Sequence, residues 1–112
     1  MAQLQRPPFV YMDGGIRPYA DAVIHVATEA VYRGLNVFEG LKGYWNPSST
    51  EFGLLALPRH FARLQRSARL LHIPMPLDYD EFERGCHDLI KALYVPERDM
   101  WIRATLYVME GH

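Results

Sequence analysis

Arg59, Arg63 and Arg66 stand four and then three residues apart, so on a helix they share one side. Guanidinium groups set out this way can hold an anion, because each offers a planar fork of donors matched to phosphate or carboxylate oxygens. Charge rows on helices are more commonly solvated faces, and the spacing alone favours that plainer reading. The histidines carry less. His25, His60, His72 and His87 form neither an i, i+4 pair nor a His-Glu-x-x-His sequence, so a zinc helix is not indicated. Cys86, the single cysteine, falls on an apolar helical stripe, where cysteine serves as a small buried hydrophobe rather than a nucleophile. There is no Gly-x-Ser-x-Gly elbow, no Walker-type phosphate loop and no Gly-x-Gly-x-x-Gly.

A second candidate lies in Tyr32-Arg33-Gly34-Leu35-Asn36-Val37-Phe38-Glu39-Gly40-Leu41-Lys42-Gly43-Tyr44-Trp45, a strand-like run interrupted by glycine. Side chains alternate along a strand, so Phe38, Gly40 and Lys42 share one face while Glu39 and Leu41 share the other. A missing side chain between an aromatic and a cation makes room for a ligand. A bulge, or the close approach of a helix, explains Gly40 equally well.

These residues need elements to position them. Phe9–Met12 and Ile16–Pro18 flank Asp13-Gly14-Gly15, which supplies the positive φ of a tight hairpin. Ala22–Val26 is a short β-branched run, and Thr28 stands where it would cap one or two helical turns over Glu29–Tyr32. Val37–Trp45 and Phe52–Leu57 form two strands joined by the turn residues Asn46–Thr50. The period then changes. Pro58 suits a first helical turn, and Phe61, Leu64, Ala68 and Leu71 make one buried stripe of a helix ending near His72. Asp78 with Glu81 resembles a capping box before a second helix whose apolar face holds Phe82, Cys86, Leu89, Ile90 and Leu93, stopped by Pro96. Met100–Met109 is a last, long strand. Strands, two helices and a closing strand predict an α+β fold, a mostly antiparallel sheet with two main helices packed on it.

At 112 residues the chain is one domain at most, or one piece of something larger. A formal net charge of −1, with basic residues spread among acids, argues against nucleic acid as a partner. No secretory leader is evident, and the apolar runs fall far short of a membrane span, so a cytoplasmic protein without a membrane partner is expected.

Four blocks now bear together: Asp21–Val26, Tyr32–Lys42, His60-Phe61-Ala62-Arg63-Leu64 with Ser67-Ala68, and Trp101-Ile102-Arg103. In order and spacing they resemble the class IV, fold-type IV aminotransferases dependent on pyridoxal 5'-phosphate (PLP), with the branched-chain amino-acid aminotransferases as the nearest subgroup. The resemblance spans about residues 9–111, but covers only that family's N-terminal small domain. It implies that residues 1–112 are a single small domain, with the C-terminal large domain outside this chain. Arg63 matches the arginine that binds the cofactor phosphate; Arg59 and Arg66 inherit no role. Phe38 matches an aromatic wall of the substrate pocket, and Gly40 lies in the strand bordering cofactor and substrate. Trp101 falls near the substrate carboxylate, Arg103 matches an arginine tied to the acidic side chain of glutamate, and Arg33 stands where the subgroup has a tyrosine reaching a neighbouring subunit's pocket.

Two departures limit the branched-chain label. Trp101 has only an indole N–H donor where the subgroup carries a phenolic hydroxyl, and Arg33 is cationic where a tyrosine is usual. Leucine, isoleucine or valine therefore does not follow as substrate. A third departure concerns catalysis, which in this family needs a Schiff-base lysine. Lys42 and Lys91 are the only lysines, and neither matches it. The chain by itself is expected to be inactive, a fragment or a separately made small domain. The complete protein would pass an amino group between an amino acid and a 2-oxo acid, as a homodimer or an assembly of dimers. Two alternatives keep the scaffold: another class IV reaction, D-amino-acid transamination or aminodeoxychorismate lysis, and a non-catalytic interaction module.

Overall fold

The computed structural model describes residues 6–109. Asp13 and Gly14 both take positive φ, 51° and 86°, as a two-residue hairpin loop requires, and join β1 (Phe9–Met12) to β2 (Gly15–Pro18). This hairpin packs on a helix rather than joining the main sheet, its Tyr11 ring lying against Gly85. The main sheet has three strands in the order β4-β3-β5, with β3 spanning Asn36–Asn46, β4 Glu51–Leu54 and β5 Met100–Tyr107. Both pairings are antiparallel, as is that of the hairpin. The predicted α+β architecture is the one observed.

Two helices cover one face of this sheet. Helix α2 (Leu57–Leu70) begins with Pro58 in its first turn and buries Leu57, Phe61, Leu64 and Ala68. Its end explains why Leu71, predicted to be buried, is exposed. His72 turns into the left-handed region at φ 57°, and its N–H and that of Ile73 bond back to the carbonyls of Arg69 and Ala68. This is the double hydrogen bond of a Schellman motif, and the stripe passes from Leu71 to buried Ile73. Helix α3 (Tyr79–Leu93) starts as predicted: the Asp78 carboxylate accepts the Glu81 N–H at 2.9 Å, a cap contributing about 1 kcal/mol. Phe61 of α2 and Phe82 of α3 stack with ring centroids 5.1 Å apart over Val37, Leu41, Ile102 and Leu106 of the sheet.

Three local expectations change. Ala22–Val26 is not a strand, because a 3-10 turn at Tyr19–Asp21 leads into it and among the described residues its backbone meets no partner strand; Val23 and Val26 stay exposed. Thr28 does precede a helix, α1 (Glu29–Tyr32), but its hydroxyl donates to the His25 carbonyl instead of capping. The strand predicted over Phe52–Leu57 stops at Leu54, since Ala56 adopts φ 56° to start α2. Among the described residues no helix is long and apolar enough to cross a membrane.

Cys86 is buried on the inner face of α3, and burial, with the nearby Glu83 charge, pushes its thiol up to about 11. The folded chain therefore keeps this proton where the unfolded chain, near 9.0, has lost it. Stability contributed by the neutral thiol is present below the unfolded value and falls as pH rises toward the folded one. Denaturant titrations across the alkaline range are expected to show a shallower decline for Cys86→Ala than for the parent. A residual decline should persist, because burial also raises Tyr107. Equal slopes would show that the thiol ionises alike in both states.

Candidate functional site

The site is built around β3, the middle strand of the sheet, paired with β4 on one side and β5 on the other. Its buried residues alternate strictly: Val37, Glu39, Leu41 and Gly43 face the helices, while Phe38, Gly40 and Tyr44 face outward and Lys42 is half-buried among them. Antiparallel pairing sets Phe38 opposite Thr105, Gly40 opposite Arg103 and Lys42 opposite Trp101. The outer face is thus aromatic and cationic. Arg103 lies over the Phe38 ring, 5.3 Å from its centroid, and the Lys42 ammonium sits 4.9 Å from the Tyr44 ring and 5.3 Å from that of Trp101. Cation–π contacts of this kind hold side chains in place while leaving their charge available. Lys42 is also tied from the side by Asp99, whose second oxygen accepts the Trp45 N–H at 3.0 Å. Phe38 is 59% and Trp101 76% exposed, so the face is uncovered in this chain.

Gly40 can now be read more closely. The register runs without interruption from Asn36 to Gly43, so no bulge explains the glycine, and its outward position rules out close helix packing. A Cβ added there would meet nothing within 4 Å. What its absence provides is an open position between Phe38, Lys42 and Arg103. Gly43 differs: it faces inward and the Phe52 ring lies directly on it.

The inner face holds the other half. Glu39 is 3% exposed, a carboxylate between Val37 and Leu41 in the packed layer. One of its oxygens, Oε1, accepts from Arg63 Nη2 at 2.9 Å and lies 2.7 Å from His60 Nδ1. An unpaired carboxylate so buried would cost several kcal/mol, which makes these two partners obligatory. Arg63 keeps 70% of its side chain exposed while anchored, so several of its five N–H donors remain open to an anion. Arg59 and Arg66 are simply exposed, and the row of three resolves into one tethered arginine and two solvated ones.

Of the residues singled out from sequence, Phe38, Gly40, Trp101 and Arg103 come together on the outer face, and Arg63 reaches β3 from the opposite side, at Glu39. Arg33 stands apart from them, its Nε 3.3 Å from Glu29 at the end of α1. His60, Glu39 and Asp99 were not singled out. Glu39 had a legible signal, since strand alternation placed a charge beside Leu41; the pairing of Asp99 with Lys42 had none. Among the described residues no cluster of histidine, cysteine or acidic side chains is arranged to hold a metal.

The fold of this chain is shared with part of solved branched-chain aminotransferases. The branched-chain aminotransferase of Thermoproteus uzoniensis, solved with norvaline, superposes with a TM-score of 0.86 at 26% identity, over 96% of this chain and 35% of that one. The enzyme of Thermobaculum terrenum, solved in its PLP form, gives 0.79 at 29% identity over 90% and 33%. In sequence, a probable branched-chain-amino-acid aminotransferase of Aquifex aeolicus is 27% identical over 88% of this chain and 32% of its own. The model of the amino-transferase class IV family matches residues 36–110. The chain belongs to the class IV aminotransferase family. It spans about a third of the length of the curated relatives it matches.

Proposed function

We propose that residues 1–112 form the N-terminal small domain of a PLP-dependent aminotransferase, and that the complete protein moves an amino group between an amino acid and a 2-oxo acid. The observation that carries this reading is the double use of β3: an anchored, half-free guanidinium on one side at Glu39, and an open position at Gly40 on the other, flanked by Phe38 and Arg103. The donor set fits a phosphate monoester, because Arg63 spends one nitrogen on Glu39 and presents the rest to solvent. When bound, PLP supplies an electron-accepting ring that stabilises charge at the substrate α-carbon.

In this reading Arg63 would hold the cofactor phosphate. Phe38 packs against the substrate side chain, and Gly40 leaves the space it occupies. Arg103 attracts a substrate carboxylate. Trp101 contributes a ring wall and one N–H donor, so it narrows the pocket without supplying a hydroxyl. Arg33, exposed beside Glu29, serves a neighbouring subunit in this reading, which takes the complete protein as a homodimer or an assembly of dimers. The side chain of the substrate is left to the Phe38 and Trp101 walls, and the names of the relatives support a branched-chain amino acid as one candidate.

The test is direct. Supplied with PLP, an amino donor and a 2-oxo acid, the 112-residue chain is expected to give no amino transfer, and measurable turnover would overturn the small-domain assignment. The complete protein is expected to retain PLP through gel filtration, seen as visible absorbance co-eluting with protein; a colourless product that transfers no amino group would favour the interaction module.

A further inference from the structure

We propose that Glu39, itself held by His60, is a positioning residue that fixes the Arg63 guanidinium for an incoming phosphate. The inference rests on the assignment of Arg63 to phosphate made above. Its basis is an asymmetry of burial within one contact: Glu39 is 3% exposed, whereas the Arg63 side chain it holds is 70% exposed. The carboxylate is part of the packed layer and the guanidinium is the part that water, or an anion, can reach.

His60 and Arg63 are three residues apart on α2, so both project from the same edge of the helix toward β3. Both meet the same oxygen, Glu39 Oε1, at 2.7 and 2.9 Å. The two contacts settle the carboxylate rotamer, and the carboxylate settles the arginine. Arg59 and Arg66 show what Arg63 would be without this tether, long side chains on a solvated helix face. A free arginine loses much of its rotamer freedom when it binds an anion, and an arginine already held loses less. The charge of Glu39 opposes an anion, but it lies behind the guanidinium, is shared with His60, and acts across a solvent-exposed group where repulsion is screened. Orientation therefore outweighs repulsion.

The experiment follows the Arg63 Nε–H signal of the ¹⁵N-labelled chain during titration with inorganic phosphate, with Arg63→Gln to assign it. In the parent chain the signal is expected to shift saturably, and in Glu39→Gln the midpoint should rise about fivefold or more. Arg66→Gln should leave the midpoint where it was. His60→Ala should raise it too, whereas His60→Asn, whose amide N–H can replace the Nδ1 donor, should restore it. A purely structural role for Glu39 would change thermal stability and leave the Arg63 midpoint alone. An equal or lower midpoint in a folded Glu39→Gln chain overturns the positioning role while sparing the phosphate assignment. An Arg63 signal that ignores phosphate in the parent overturns both. Should Glu39→Gln fail to fold, the pair at His60 decides, and equal midpoints for His60→Ala and His60→Asn overturn the proposal.

Discussion

Gly43→Val is expected to destabilise the chain by about 3 kcal/mol, read as a lower urea midpoint with an unchanged slope. The Phe52 ring occupies the position that any side chain at residue 43 would need. Gly43 pairs with Leu54 and Trp45 with Phe52, so the ring crosses diagonally from β4 to cover the bare backbone of β3. Three methyl-sized groups inserted there must expel the ring from its partly buried place beside the core. Overpacking of this kind typically costs about 1–3 kcal/mol, and the lost ring contacts add to it. Relief of the backbone freedom that glycine brings to a strand returns only about 0.5–1 kcal/mol. Because the clash is specific, Phe52→Ala should erase most of the penalty, so the double variant should be far less than additive. Additive losses would place the cause elsewhere.

Gly40→Val, three residues earlier on the same strand, is expected to behave in the opposite way. Nothing lies within 4 Å of a Cβ added at residue 40, and its φ is not in the left-handed region, so valine should stabilise the chain by about 0.5–1 kcal/mol. In the complete protein the isopropyl group would fill the opening between Phe38, Lys42 and Arg103, and kcat/KM for amino transfer should fall about a hundredfold, equivalent to ~2.7 kcal/mol of transition-state stabilisation. The test pairs a denaturation curve on the chain with kinetics on the complete protein. Full activity in a stabilised Gly40→Val enzyme would remove Gly40 from the substrate border.

These two glycines also show what could and could not be read from the sequence. Local chemistry was legible: Asp13-Gly14 announced its hairpin, Asp78 its helix cap, and Phe61, Leu64 and Ala68 their buried stripe, because each depends on neighbours within a turn or two. The alternation of β3 was legible too, and it separated Phe38 and Gly40 from Glu39. What stayed hidden was the choice of distant partner. Gly43 means nothing until Phe52 is known to fold over it, and Lys42 gains its restraint from Asp99 only through the pairing of β3 with β5. Arg63 could not be told from Arg59 and Arg66 by spacing, since only the helix orientation decides which of the three reaches Glu39. Ala22–Val26 failed for the converse reason: strand propensity without an edge to join makes no strand.

The alternation along β3 has one more consequence, for errors in folding. A slip of β3 by a single position against β5 would turn every side chain to the other face. Glu39 would then meet water and leave Arg63 with nothing to hold, while Phe38 would be driven into the core and the opening at Gly40 sealed beneath the helices. Both halves of the site would vanish together, without one atom of sequence changed. The two cation–π pairs across the strands, Arg103 on Phe38 and Lys42 on Trp101, therefore act as indexing pins: they penalise the wrong alignment and so decide whether a folded sheet carries a site at all.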